Sequence, residues 1–235
     1  MSNTDTLTLP NQLGSAILCM PNTAQPKAGV IVVHEWWGLN DYAKGRAEAL
    51  ADLGYAAIAV DMYGHGKTAT DPEEAERMMN AAFAEPEKLN ARFQEAKNLL
   101  VQHGNVDAHS IYAIGYCFGG AVVLNQARSG TALAGVASFH GLLETDSPAQ
   151  AGSVNTKVLV TTGGADPMNG PDIVAGFVKE MQNAGAEYHL TSFPNVEHGF
   201  TNPAATENGK KYGLPLSYDK HADVSSWNAL LDFMR

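Results

Sequence analysis

The chain has 235 residues, with 25 acidic and 15 basic side chains and a formal net charge of −10. That balance excludes nucleic acid and anionic membrane as partners, because the phosphate attraction such binding relies on is missing. Apolar residues make up 45 % and charged ones 17 %, which allows a sizeable core and argues against a disordered chain.

Strand-like and helix-like patterns then alternate along the chain. Residues 28–34, Ala-Gly-Val-Ile-Val-Val-His, form a continuous β-branched run, as expected for a strand buried on both faces. A helical pattern from Asp41 to Leu53 is stopped by Gly54. The strand 56–60 ends in the glycine-rich loop Asp61-Met62-Tyr63-Gly64-His65-Gly66. Asp71-Pro72-Glu73-Glu74 opens a helix, with a capping acid, a proline in the first turn and acids at the positive end. That helix is predicted to run to Phe83, break near Pro86 and resume from Leu89 to His103. Further strands are read at 110–114, 135–139, 157–162 and 188–193, and helices at 121–128, 173–183 and 223–234. Residues 202–221 show no periodicity and are expected to be an ordered loop near the functional site. The alternation predicts one α/β domain over 1–235, with a mostly parallel sheet, helices on both faces, and antiparallel pairing among the first strands.

The junction of the strand 110–114 and the helix 121–128 carries Gly115-Tyr116-Cys117-Phe118-Gly119-Gly120, a G-x-C-x-G motif. A nucleophile on a sharp strand-to-helix turn needs small residues on both sides, where backbone crosses closely. A free cysteine is only about 3 % thiolate at pH 7, so it needs a base or a positive field. In doubly wound sheets, ligands sit at the carboxyl ends of strands. Asp166 in Gly163-Gly164-Ala165-Asp166-Pro167 and His198 in Glu197-His198-Gly199-Phe200 each follow such a strand. Nucleophile, acid and histidine thus appear in one chain order at successive strand ends. The backbone N–H groups of Phe118 and Trp36 are the candidate oxyanion donors. Glu35 is a carboxylate at the end of a buried strand, and Trp36 and Trp37 suit the walls of an apolar substrate pocket.

Cys19 and Cys117 are the two cysteines, so no disulfide framework is expected. Cys19, within an apolar run, reads as a small buried hydrophobe. Residues 1–5 carry no basic group or apolar stretch, so no secretory leader is expected. No run is long enough to span a bilayer. A cytoplasmic, reducing compartment suits a catalytic thiol. The histidines lack zinc-site spacing such as H-E-x-x-H, so no metal and no other cofactor is expected. A non-catalytic binding protein and a redox-sensing thiol are the competing readings, the latter without a nearby resolving cysteine.

The residues 34–40 (His-Glu-Trp-Trp-Gly-Leu-Asn), 61–64, 115–120, 164–167 and 198–200 together resemble the dienelactone hydrolase family across nearly the whole chain. That resemblance implies an α/β-hydrolase fold and a Cys117–His198–Asp166 triad acting on a small molecule. It also implies that Glu35 contacts the nucleophile and helps activate it when substrate binds, and that His140 stands near the pocket. Dienelactone enzymes hold an anionic lactone through arginines. Here Gly199-Phe200-Thr201-Asn202-Pro203 contains none, and the helix from Asp71 offers Arg77 alone. A neutral or apolar ester or lactone is therefore the expected substrate. Resemblance to promiscuous esterase members keeps phosphotriester hydrolysis as the alternative. Oligomeric state stays open between monomer and homodimer.

Overall fold

A computed structural model describes residues 3–235, so Met1 and Ser2, the start of the polar N-terminal stretch, lie outside the described residues. The chain divides into two compact units, Met1–Ile114 and Gly115–Arg235.

In the first unit, β1 (Asn3–Leu9) pairs antiparallel with β2 (Gly14–Met20), and β2 pairs antiparallel with β4 (Ala56–Val60). β4 lies parallel to β3 (Gly29–Val33), which gives the order β1-β2-β4-β3. Every residue of β3 and β4 is buried, so both faces of these strands are covered. The helices α1 (Asp41–Asp52) and α3 (Pro86–His103) pack on both strands. The Asn40 side chain caps α1 by accepting from the Ala43 N–H. The Asp71 side chain caps α2 (Pro72–Phe83) by accepting from the Glu74 N–H. The helix α3 starts at Pro86, three residues before the predicted Leu89. Proline at the first helical position gives up no intrahelical bond, so it opens the helix instead of breaking it.

β5 (Ile111–Tyr116) runs through the division and leads into α4 (Phe118–Arg128). In the second unit β6 (Gly135–Phe139), β7 (Lys157–Gly163) and β8 (Tyr188–Phe193) are mutually parallel neighbours, in the order β5-β6-β7-β8. β6 is buried throughout, with α4 and the C-terminal helix α7 (Lys220–Phe233) packed on it. The helix α5 (Pro171–Ala184) ends on Gly185 in the left-handed conformation. The predicted α/β architecture with a mostly parallel sheet is the one observed.

One expectation is corrected. Within 202–221, read as a loop, Ala205–Tyr212 forms a helix, α6. Its sequence is polar and contains Gly209, which looks like a breaker. The glycine serves packing instead: a Cβ there would stand 2.3 Å from the Leu216 carbonyl oxygen. Among the described residues, no helix is long and apolar enough to cross a membrane.

Candidate active site

The second unit gathers Cys117, Asp166 and His198. Cys117 joins β5 to α4 with φ 52° and ψ −114°, a strained positive-φ conformation that side chains rarely adopt. The turn is closed from both sides. A Cβ on Gly115 would lie 2.0 Å from the Gly119 carbonyl oxygen, and one on Gly120 would lie 2.6 Å from the Gly141 Cα. The Cys117 N–H donates to the Phe139 carbonyl at 3.0 Å, which fixes the elbow to the end of β6. Phe118 opens α4, so its peptide lies at the positive end of the helix dipole. Cys117 is nearly buried, at 8 % exposure.

Asp166 follows β7 and caps the 3-10 turn 167–169, its Oδ1 accepting from the Met168 N–H at 2.9 Å. Its Oδ2 receives His198 Nδ1 at 2.8 Å, with both side chains essentially out of solvent. The two loops are sewn together by main chain: Gly164 N–H donates to Phe193 O at 2.7 Å and Ala165 N–H to Val196 O at 2.9 Å. Gly163 permits this, since a Cβ there would meet the Val196 oxygen at 2.2 Å. On the far side, Ser217 N–H donates to the His198 carbonyl at 3.1 Å, so the segment after α6 does reach the site.

Burial is the largest single influence on His198, and it pushes the imidazolium down. The charge of Cys117 and the hydrogen bond that His198 donates to Asp166 override it, and His198 is pushed up to about 10 from its ordinary 6.5. Nε2 makes no hydrogen bond of regular geometry, although Cys117 acts on the ring as a partner. Such a contact is long or misaligned in many free enzymes and tightens when substrate arrives.

His140 follows β6 with φ 40° and is fully buried. Its ring stands edge-on to His198 at 5.1 Å between centroids and also meets Phe200 at 5.1 Å. Its Nε2 is 2.7 Å from Thr201 Oγ1. Asn169, which sequence reading passed over, is buried at 3 % exposure and hydrogen-bonds Asp166, Gly141 and Leu143. An asparagine three residues after an aspartate in a turn carries no signal of such a position.

The remaining expected residues lie in the first unit, on the loop after β3. Glu35 is buried at 5 % exposure, Trp37 is buried, and Trp36 is half-buried with its ring edge-on to Trp37. The Tyr63 hydroxyl donates to the Trp36 carbonyl at 2.8 Å. Behind them, buried His34 Nε2 accepts from the Met62 N–H at 3.1 Å, and burial holds this imidazole below its usual value. A ring nitrogen that accepts from a peptide N–H must be unprotonated, so His34 is neutral and its Nδ1–H donates to the Glu35 carbonyl. Among the described residues, no group of three or more His, Cys, Asp or Glu is arranged to hold a metal.

The model of the dienelactone hydrolase family matches residues 15–235. The chain belongs to the dienelactone hydrolase family. It is a hydrolase of that type, with the family's α/β-hydrolase fold. A probable 2-oxo-3-(5-oxofuran-2-ylidene)propanoate lactonase from Bradyrhizobium is 27 % identical over 230 residues, which cover 94 % of this chain and 88 % of that one. A putative carboxymethylenebutenolidase from Saccharolobus solfataricus is 25 % identical over 257 residues, covering 94 % and 93 %. A crystal structure of a dienelactone hydrolase-like promiscuous phosphotriesterase from metagenomic libraries superposes with a TM-score of 0.86 at 30 % identity. That match covers 100 % of this family member and 97 % of the neighbour.

Proposed function

We propose that this protein is a metal-free thiol hydrolase of carboxylic esters or lactones, with Cys117 as nucleophile, His198 as base and acid, and Asp166 as the orienting acid. The observation that carries the reading is His198, held at 2.8 Å by Asp166 and raised by the charge of Cys117. The Cys117 thiolate attacks the carbonyl carbon, and a C–S bond forms as the carbonyl electrons move to oxygen. The Phe118 N–H, at the start of α4, is the oxyanion donor assigned in this unit. Collapse breaks the C–O bond, and the imidazolium gives its proton to the leaving alkoxide. Neutral His198 then takes a proton from water, whose oxygen attacks the thioester. The acid leaves and the thiolate–imidazolium pair returns.

The stretch from Gly199 to Pro203 carries no cation, and its Phe200, Thr201 and Asn202 are buried, which supports a neutral or apolar substrate over an anionic lactone. In this reading His140, whose ring packs edge-on against His198, stands beside the substrate pocket. Both cysteines are free thiols, which suits a reducing cytoplasm. The test is p-nitrophenyl acetate and butyrate hydrolysis by Cys117→Ala. Loss of turnover with a covalent acyl adduct on the wild-type cysteine is expected, and near-wild-type turnover by the folded variant would refute the triad. Activity is expected to survive EDTA. Loss that zinc restores would overturn the metal-free mechanism.

The likeness to a promiscuous phosphotriesterase favours one second reading, phosphotriester hydrolysis as a main or side activity. Turnover of a paraoxon-type substrate through a phosphorylated Cys117 supports it, whereas stoichiometric trapping without turnover means inhibition. Ligand retention without a burst or turnover on any ester would instead mark a binding protein.

A further inference from the structure

We infer that Asn169 is a positioning residue that locks the triad acid, and through it the histidine; the inference rests on the triad proposed above. Asn169 Nδ2 donates to Asp166 Oδ2 at 3.3 Å and to the Gly141 carbonyl at 2.9 Å. Its Oδ1 accepts from the Leu143 N–H at 3.1 Å. These partners allow one amide orientation. Turning it over would set oxygen against the Gly141 carbonyl and the Asp166 carboxylate, and NH2 against an N–H donor.

The carboxylate of Asp166 is thereby held at three points. Oδ1 takes the Met168 N–H, while Oδ2 takes both His198 Nδ1–H and Asn169 Nδ2–H. The Met168 and His198 bonds hold one carboxylate oxygen each, and the Asn169 bond adds a second donor to Oδ2, the oxygen that holds the imidazole. It also ties the acid to the 141–143 segment, which directly follows His140, whose ring packs against His198. The loops after β6 and β7 are therefore tied together beside the imidazole. Asn169 touches no reacting atom in this scheme and acts through Asp166.

Two variants separate positioning from folding. Asn169→Ala deletes all three bonds. Asn169→Asp keeps the acceptor for the Leu143 N–H and the shape but removes the donor to Asp166. For both, kcat for p-nitrophenyl butyrate is expected to fall about tenfold to a hundredfold with KM nearly unchanged, the size expected of a misplaced catalytic group. For Asn169→Ala, the His198 ring titration, followed by NMR, is expected to move down, because the Asp166 hydrogen bond is one of the influences that raise it. In an Asp166→Asn background, adding Asn169→Ala is expected to change kcat less than twofold. Unchanged kcat in folded Asn169→Asp, or unchanged kcat and His198 titration in folded Asn169→Ala, would overturn the inference while leaving the triad intact. An undiminished Asn169→Ala effect in the Asp166→Asn background would also overturn it. An Asp166→Asn enzyme of full activity would instead strike the triad itself.

Discussion

His198 faces opposing influences that the structure ranks. Burial alone would leave a neutral imidazole like that of His34, whose nearest donor, the Met62 N–H, requires an unprotonated ring nitrogen. The two histidines share burial and differ in their partners: His34 lies between a peptide N–H and a carbonyl, and His198 between a thiol and a carboxylate. Replacing Cys117 with alanine removes the strongest influence that raises His198. An NMR pH titration of the variant is expected to place the ring well below the wild-type value of about 10. An unmoved titration would show that Cys117 does not act on the ring. The elbow itself is equally sensitive. Gly115→Ala puts a methyl group 2.0 Å from backbone that cannot retreat without opening the turn. We expect a loss of about 2–4 kcal/mol in chemical denaturation, by the overpacking and strain mechanisms. Cys117, Asp166 and His198 were legible in the sequence because each ends a strand with a reactive group. Asn169 was not, since its partners, Asp166, Gly141 and Leu143, are defined only once two loops meet.

At the level of elements, strands were easier to read than polar helices. β3 and β4 are unbroken apolar runs and β6 is broken only by Ser138, because both faces are covered, and burial on two faces leaves a strong pattern. α6 buries only Ala205 and Gly209, so its sequence shows almost no apolar stripe. α7 starts at Lys220, where Asp219 accepts from the Ala222 N–H, three residues earlier than the apolar pattern began. The glycine in α6 yields a prediction whose sign runs against helix propensity. In an open helix Gly209→Ala would stabilise by about 1 kcal/mol. Here the new Cβ would meet the Leu216 carbonyl at 2.3 Å and the Leu214 carbonyl at 3.0 Å. The variant is therefore expected to lower Tm in a thermal melt. Its cost should extend to catalysis, because the same segment supplies the Ser217 N–H to the His198 carbonyl. A raised Tm would show that the 214–216 segment yields without penalty.

For the molecule as a whole, the same titration links catalysis to stability. A histidine whose folded value lies near 10 against about 6.5 unfolded stabilises the fold fully below about pH 6.5. That contribution declines as pH rises and is gone above about pH 10. Urea denaturation of wild type between pH 6 and pH 10.5 is expected to show this alkaline loss. Cys117→Ala is expected to show a smaller one, and equal slopes would contradict the link. In the proposed mechanism, the Cys117–His198 pair thus governs both the reactivity of the thiol and part of the alkaline stability.

The order of the proposed triad along the chain has a consequence for how the protein is made. His198 follows Cys117 by 81 residues. At roughly 5–20 residues per second, a ribosome needs about 4–16 s to cover that distance. During this interval the nascent chain holds the Cys117 thiol without His198 and, for the first 49 residues, without Asp166. The thiol acquires both of its proposed partners only once His198 has been made, so hydrolysis by the proposed triad cannot begin before that point.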